Sequence, residues 1–291
     1  MRARDESALV RGEARDEAGR GQRTGYRRGV SPAVVFLPDT ALLVPGAAGR
    51  ADPAAALRDA ALVALRAADP GPGGRVLVLA PGHHARTLPH PVVTGLGAAG
   101  LLDPQASVLP GGTAGAAGTT RPAVADVAAS VALVLLRAAG VDAPVDVREI
   151  ARTGDGAVPV TAPGEVATVV VVGSLSARHG PDAPLADDPR APDVDAALLA
   201  ALAASPGALA AALDDLGASA ARDLAVTGWA PWRAALALLD RSEARGTDLR
   251  VAACTDALVA GAQHAVALWL PVRPTGDGST AAPPAAGPPT T

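Results

Sequence analysis

The chain has 291 residues, a formal net charge of −4, no lysine, no asparagine and a single cysteine. That balance offers no electrostatic case for nucleic acid. It excludes a Walker A lysine, a pyridoxal Schiff base and any amine nucleophile, and it rules out an internal disulfide. Residues are 49% hydrophobic but only 2% aromatic, so the core must be built from Ala, Val and Leu; the length allows one large domain or two small ones.

Residues 1–31 mix Arg with Asp and Glu, contain few large apolar side chains and lack an apolar leader region, so they are expected to be a disordered tail rather than a secretory signal. Residues 33–37 (AVVFL) read as a first strand that opens into Pro38-Asp39-Thr40. Residues 53–68 read as a helix with Pro in its first turn and leucines along one face. Residues 75–80 read as a second strand, opening into Pro81-Gly82-His83-His84.

The Gly-rich stretch 111–118 has neither the GxGxxG spacing nor a following lysine and reads as a loop. Residues 122–139 predict a long helix ending at Gly140, and 145–150 a strand. Residues 166–172 are a β-branched run that fits a strand buried on both faces. It breaks into Gly173-Ser174-Leu175-Ser176, with His179 just beyond.

Helices are expected over 193–204, 207–213, 219–226 and 231–240, with Trp229 and Trp232 as core anchors. Closing strands are expected over 249–254 and 263–270, with Cys254 as a buried, inert thiol. From 275 to 291 the chain turns to Gly, Pro, Ser, Thr and Ala, a second disordered tail. Strand and helix patterns thus alternate over 32–274, which predicts one α/β domain with a three-layer α/β/α architecture around a mainly parallel sheet.

Ligands of open α/β sheets collect at the carboxyl ends of the strands. Asp39, His83, His84 and His179 all follow predicted strands there. A carboxylate and two histidine-bearing loops are the donor types of a non-haem iron centre, or of zinc or manganese, provided strand order brings the loops together. Each also has a plainer reading: Asp39 as a turn residue, and His83, His84 and His179 as solvated loop positions. His90, between two prolines, and His264, entering the last strand, read as structural or exposed. Ser174 and Ser176 do not form G-x-S-x-G, so a nucleophile elbow is not supported. No apolar run reaches the roughly 18–20 residues of a membrane span, and a single unpaired cysteine suits a reducing cytoplasm. Edge strands and Ala/Leu helices permit a homo-oligomer without requiring one.

Over residues 33–272 the chain resembles the catalytic (B-type) subunit of the class III extradiol ring-cleavage dioxygenases, in an uncharacterised bacterial branch. The likeness rests on Leu37-Pro38-Asp39-Thr40 with the apolar stretch after it, on Ala80-Pro81-Gly82-His83-His84, and on the Gly173-Ser174-Leu175-Ser176 turn. It rests also on Asp188-Pro189-Arg190 and on Gly228-Trp229-Ala230-Pro231-Trp232. The resemblance implies an Fe(II) enzyme that opens a catechol-like ring with O2. Asp39 and His83 or His84 would stand at metal-ligand positions and His179 near the acid/base position. The sequence departs from the pattern at Asp39, where the family has His, and at Ala177, which aligns with the family acid/base. It departs again over 249–270, where Asp256 is the only carboxylate to match a ligand glutamate. Three functions follow: a ring-cleaving oxidoreductase, a non-catalytic member that binds a small molecule or a protein, or a metal-dependent hydrolase using the same loops.

Overall fold

A computed structural model describes residues 31–101, 121–152, 166–241 and 249–272. The expected tails lie outside the described residues, apart from Ser31, and so does the Gly-rich stretch. In chain order the elements are β1 (Ala33–Leu37), α1 (Ala55–Ala67), β2 (Val76–Gly82), β3 (Arg86–Thr87), β4 (Val92–Val93), β5 (Ala123–Val124) and α2 (Val127–Ala138). Then come β6 (Val145–Ala151), β7 (Thr168–Val172), α3 (Ala191–Ala204), α4 (Pro206–Asp223), α5 (Trp229–Arg241), β8 (Leu249–Val259) and β9 (Ala262–Pro271).

The main sheet runs β3-β6-β2-β7-β1-β9-β8, and β4 pairs with β5 apart from it. Strands β6, β2, β7 and β1 are parallel, β9 runs antiparallel to β1, and β8 folds back on β9. The central strands read as nearly continuous Val and Leu because both faces are covered. Their side chains alternate between two cores. Val35, Leu37, Val78 and Val170 pack against Leu57 of α1 and Leu133 of α2, while Val34, Phe36, Leu77 and Val171 pack against Leu198 of α3, Leu209 of α4 and Trp232 of α5. This is the expected three-layer α/β/α fold. Trp229 and Trp232 are core anchors, at 6% and 0% exposure, and Phe36 meets the Trp232 ring edge-on.

Three differences from the sequence expectation are the largest. The long helix begins at Val127 rather than 122, because the Ala123 amide donates to the Pro91 carbonyl and draws Ala123–Val124 into β5. The two helices over 207–213 and 219–226 form the single element α4, broken at Gly217 (φ 68°), and the chain leaves it at Ala225 (φ 56°). The closing strands are longer and form a tight hairpin. Its two turn residues, Ala260 (φ 49°) and Gly261 (φ 71°), both take positive φ, the geometry that matches strand twist. Among the described residues no helix is long and apolar enough to cross a membrane.

Topology then selects a position for chemistry. The chain leaves β1 for α1 on one face of the sheet, and leaves the adjacent β7 for α3–α5 on the other. Strand β2, on the other side of β7, leaves for α2 on the same face as α1. Opposite departures thus open crevices at the carboxyl end of β7 toward both β1 and β2, where ligands of open α/β sheets bind.

Candidate functional site

Asp39 follows β1 and Ser174 follows β7, so the crevice toward β1 is flanked by the Pro38-Asp39-Thr40 and Gly173-Ser174 turns. The turn after β7 is held in place by close backbone packing. The Gly173 amide donates to the Leu37 carbonyl at 2.8 Å, and Gly173 at φ 154° lies so near Gly228 that a Cβ on it would sit 2.3 Å from the Gly228 Cα. That approach lets the Gly228 amide reach the Ser174 carbonyl at 2.9 Å, while Thr227 Oγ1 accepts the Ser174 amide at 2.8 Å.

Around the Ser174 hydroxyl three strand ends converge. Ser174 Oγ donates to Asp39 Oδ1 at 2.6 Å, a length typical of a hydroxyl on a carboxylate. It also lies 3.3 Å from the Asp39 amide and 2.9 Å from Nδ1 of His264, on β9. Ser174 and His264 are buried and Asp39 is half-buried. Burial pushes the His264 imidazole below its usual range against the opposing pull of the Asp39 charge, which favours the neutral ring.

A second pair lies on the same loop. His179 Nε2 sits 2.6 Å from Asp195 Oδ2 on α3, and both Asp195 oxygens take the Ser176 amide, at 3.0 and 3.2 Å. Asp195 is 2% exposed; burial pushes its carboxyl above the usual range although both hydrogen bonds pull it down. The loop is stitched to the β8–β9 hairpin by His179 N to the Gly261 carbonyl, Leu175 N to the Gln263 carbonyl and Gln263 N to the Ser176 carbonyl. His179 is therefore ordered and paired rather than solvated.

His83 and His84 lie elsewhere. Strand β7 separates β1 from β2, so Asp39 and His83 leave the sheet about 10 Å apart, two strand spacings. His84 is exposed. The His83 ring is 81% exposed, and its amide and Nδ1 both lie 3.0 Å from Asp126 Oδ2. Asp126 also holds Arg86, whose Nε bonds the fully buried Glu149 at 2.5 Å. Burial raises the Asp126 carboxyl, but hydrogen bonds from His83 and the Arg86 charge hold it below the usual range. His83, Arg86 and Asp126 border an open cleft of about 500 Å³ that Gly95, Val124 and Val127 also line.

Iron of the expected kind would need two imidazoles and one carboxylate on one centre. Among the described residues no three His, Cys, Asp or Glu side chains group to hold a metal ion. Asp39 and His264 bring one carboxylate and one imidazole to Ser174, while His83 is committed to Asp126. The residues present do not fit a three-ligand iron centre. They do not fit an acyl-transfer site either. The amides of Ser174, Leu175 and Ser176 are all engaged, leaving none of the turn donors an oxyanion hole needs.

Sequence reasoning passed over His264, Thr227 and Asp195. His264 is the one ionisable residue in the apolar β9 run, a polar interruption that marks it. Asp195 occupies the buried stripe of α3 at helical spacing with Ala191, Leu198 and Leu202, where an acid demands a partner. Thr227 left no signal. No protein-family model and no curated protein matches the chain.

Proposed function

We propose that the chain is a class III extradiol ring-cleavage dioxygenase-like protein of the B-subunit type. In this reading it binds a small aromatic molecule in the crevice between β1 and β7, and iron-dependent ring opening has been lost. Catechols are the ligand class that the family resemblance implies. The observation that carries the reading is the meeting of Asp39, Ser174 and His264 at a switch point of the sheet. The position belongs to a ligand site in this architecture, whereas its donor set is short of an iron triad. The family likeness rests on the sequence motifs alone, from which Asp39 departs where the family has His. A cytoplasmic location belongs to the same proposal, in keeping with the unpaired Cys254.

Metal content and oxygen uptake test it. Protein purified anaerobically, without a metal-binding tag, should hold far less than one iron per chain and consume no oxygen with 4-methylcatechol. It should still bind a small aromatic by calorimetry, with affinity lost in Ser174→Ala. About one iron per chain together with catechol-dependent oxygen uptake would overturn the loss and restore a ring-cleaving oxidoreductase.

A further inference from the structure

The hydrogen inventory of the crevice defines what its ligand must bring. Ser174 has one hydroxyl proton, and the 2.6 Å contact with Asp39 Oδ1 uses it. Ser174 Oγ is therefore the acceptor in its other two contacts, from the Asp39 amide and from His264 Nδ1. His264 then carries its proton on Nδ1 and presents a bare lone pair on Nε2. Among the described residues no hydrogen bond engages Asp39 Oδ2 or His264 Nε2, so each keeps an acceptor lone pair to offer a ligand.

The charge on Asp39 is also unanswered. Four other half-buried aspartates, Asp52, Asp126, Asp146 and Asp188, each hold an arginine. Asp39 has no cationic partner among the described residues, and its imidazole neighbour is buried. A half-buried carboxylate beside a neutral ring favours a cation that desolvates with it. The amides of the 174–176 turn are engaged, so the turn offers an anionic ligand no donors.

We infer that the crevice takes a ligand carrying a protonated amine, whose N–H groups donate to Asp39 Oδ2 and His264 Nε2. Two open acceptors suit an ammonium, which brings three N–H donors and completes its shell with water. They fall short of the three or four protein donors a transition metal takes. The inference rests on reading the crevice as a small-molecule site, and it goes further by fixing the charge of the molecule.

The test is calorimetry at pH 7 on the full chain in EDTA, with benzylamine, 4-methylcatechol and benzoate as separate probes, followed by Fe(II) alone without EDTA. Benzylamine should bind at least tenfold tighter than either other probe. Asp39→Asn, which keeps an acceptor for Ser174 but removes the charge, should erase that preference while His83→Ala leaves it intact. The ranking on the wild-type chain decides the matter even if the Asn variant folds poorly. Binding of 4-methylcatechol without benzylamine would overturn the inference and leave the small-molecule reading standing. Binding of no organic probe would overturn both. Stoichiometric Fe(II) that depends on Asp39 and His264, with no amine binding, would replace the ammonium by a metal.

Discussion

Gly173 and Gly228 are in backbone contact, and that contact sets where Ser174 stands. A Cβ on Gly228 would lie 2.5 Å from the Trp232 ring, and one on Gly173 would meet the Gly228 Cα at 2.3 Å in a backbone conformation, φ 154°, that L side chains rarely adopt. Neither neighbour is the free end of a flexible side chain, because Trp232 of α5 is fully buried against the sheet. Gly173→Ala and Gly228→Ala should each cost roughly 2–4 kcal/mol in urea unfolding. Binding of any crevice ligand should weaken even where the variant is folded. A Gly228→Ala protein with unchanged stability would mean that the helix moves aside easily.

Removing His179 should expose the strain of burying Asp195. In His179→Ala the carboxylate keeps only the Ser176 amide, and the loss is about 2 kcal/mol at pH 7. Its sign with pH follows from burial. A carboxyl whose native value is raised contributes stability that is present below the unfolded value near 3.8 and lost as pH rises through the native value. Without His179 the upward shift grows, so the deficit of the variant should shrink as pH is lowered from 7 toward 4. Urea titrations at the two ends measure it; a deficit independent of pH would show that Asp195 does not titrate in the fold.

The layers were legible because the central strands are apolar on both faces and the helices carry an apolar stripe, so periodicity alone separates them. Strand order was not legible. Local pattern shows that Asp39 and His83 each follow a strand, but only the pairing reveals that β7 lies between them. That non-local fact sends His83 to Asp126 and gives Asp39 to Ser174. His264 was hidden for a related reason. It belongs to β9, which reaches the crevice only by pairing antiparallel with β1. The His179–Asp195 pair was half legible: the loop histidine stands out in the sequence, whereas its partner lies 16 positions on, inside an Ala/Leu helix.

Acid should loosen the β9 side of the crevice through His264. Burial lowers its native value below the ordinary 6.5, so the neutral ring stabilises the fold above that pH. The contribution is lost as pH falls through the native value. His264→Gln, which cannot titrate, should abolish this part of the acid dependence. Unfolding free energies at pH 7 and pH 5 should converge in the variant and diverge in the wild-type chain. Equal slopes would place the acid-sensitive group elsewhere.

Glu149 and Arg86 form the pair whose disruption should be least symmetric. The Glu149 side chain is fully buried, with Oε2 on Arg86 Nε and Oε1 on the Asp126 amide at 2.6 Å, whereas the Arg86 side chain is 44% exposed. Arg86→Ala strands a buried carboxylate and should cost roughly 3 kcal/mol. Glu149→Gln leaves an arginine that water can still solvate, keeps an acceptor for the Asp126 amide, and should cost about 1 kcal/mol. The double variant should therefore be more stable than Arg86→Ala alone, since it removes the stranded charge. Chemical denaturation of the two single variants and the double one closes the cycle. Simple additivity of the two losses would mean that Glu149 is solvated or protonated once Arg86 is gone, and that the pair does not anchor the N-terminus of α2.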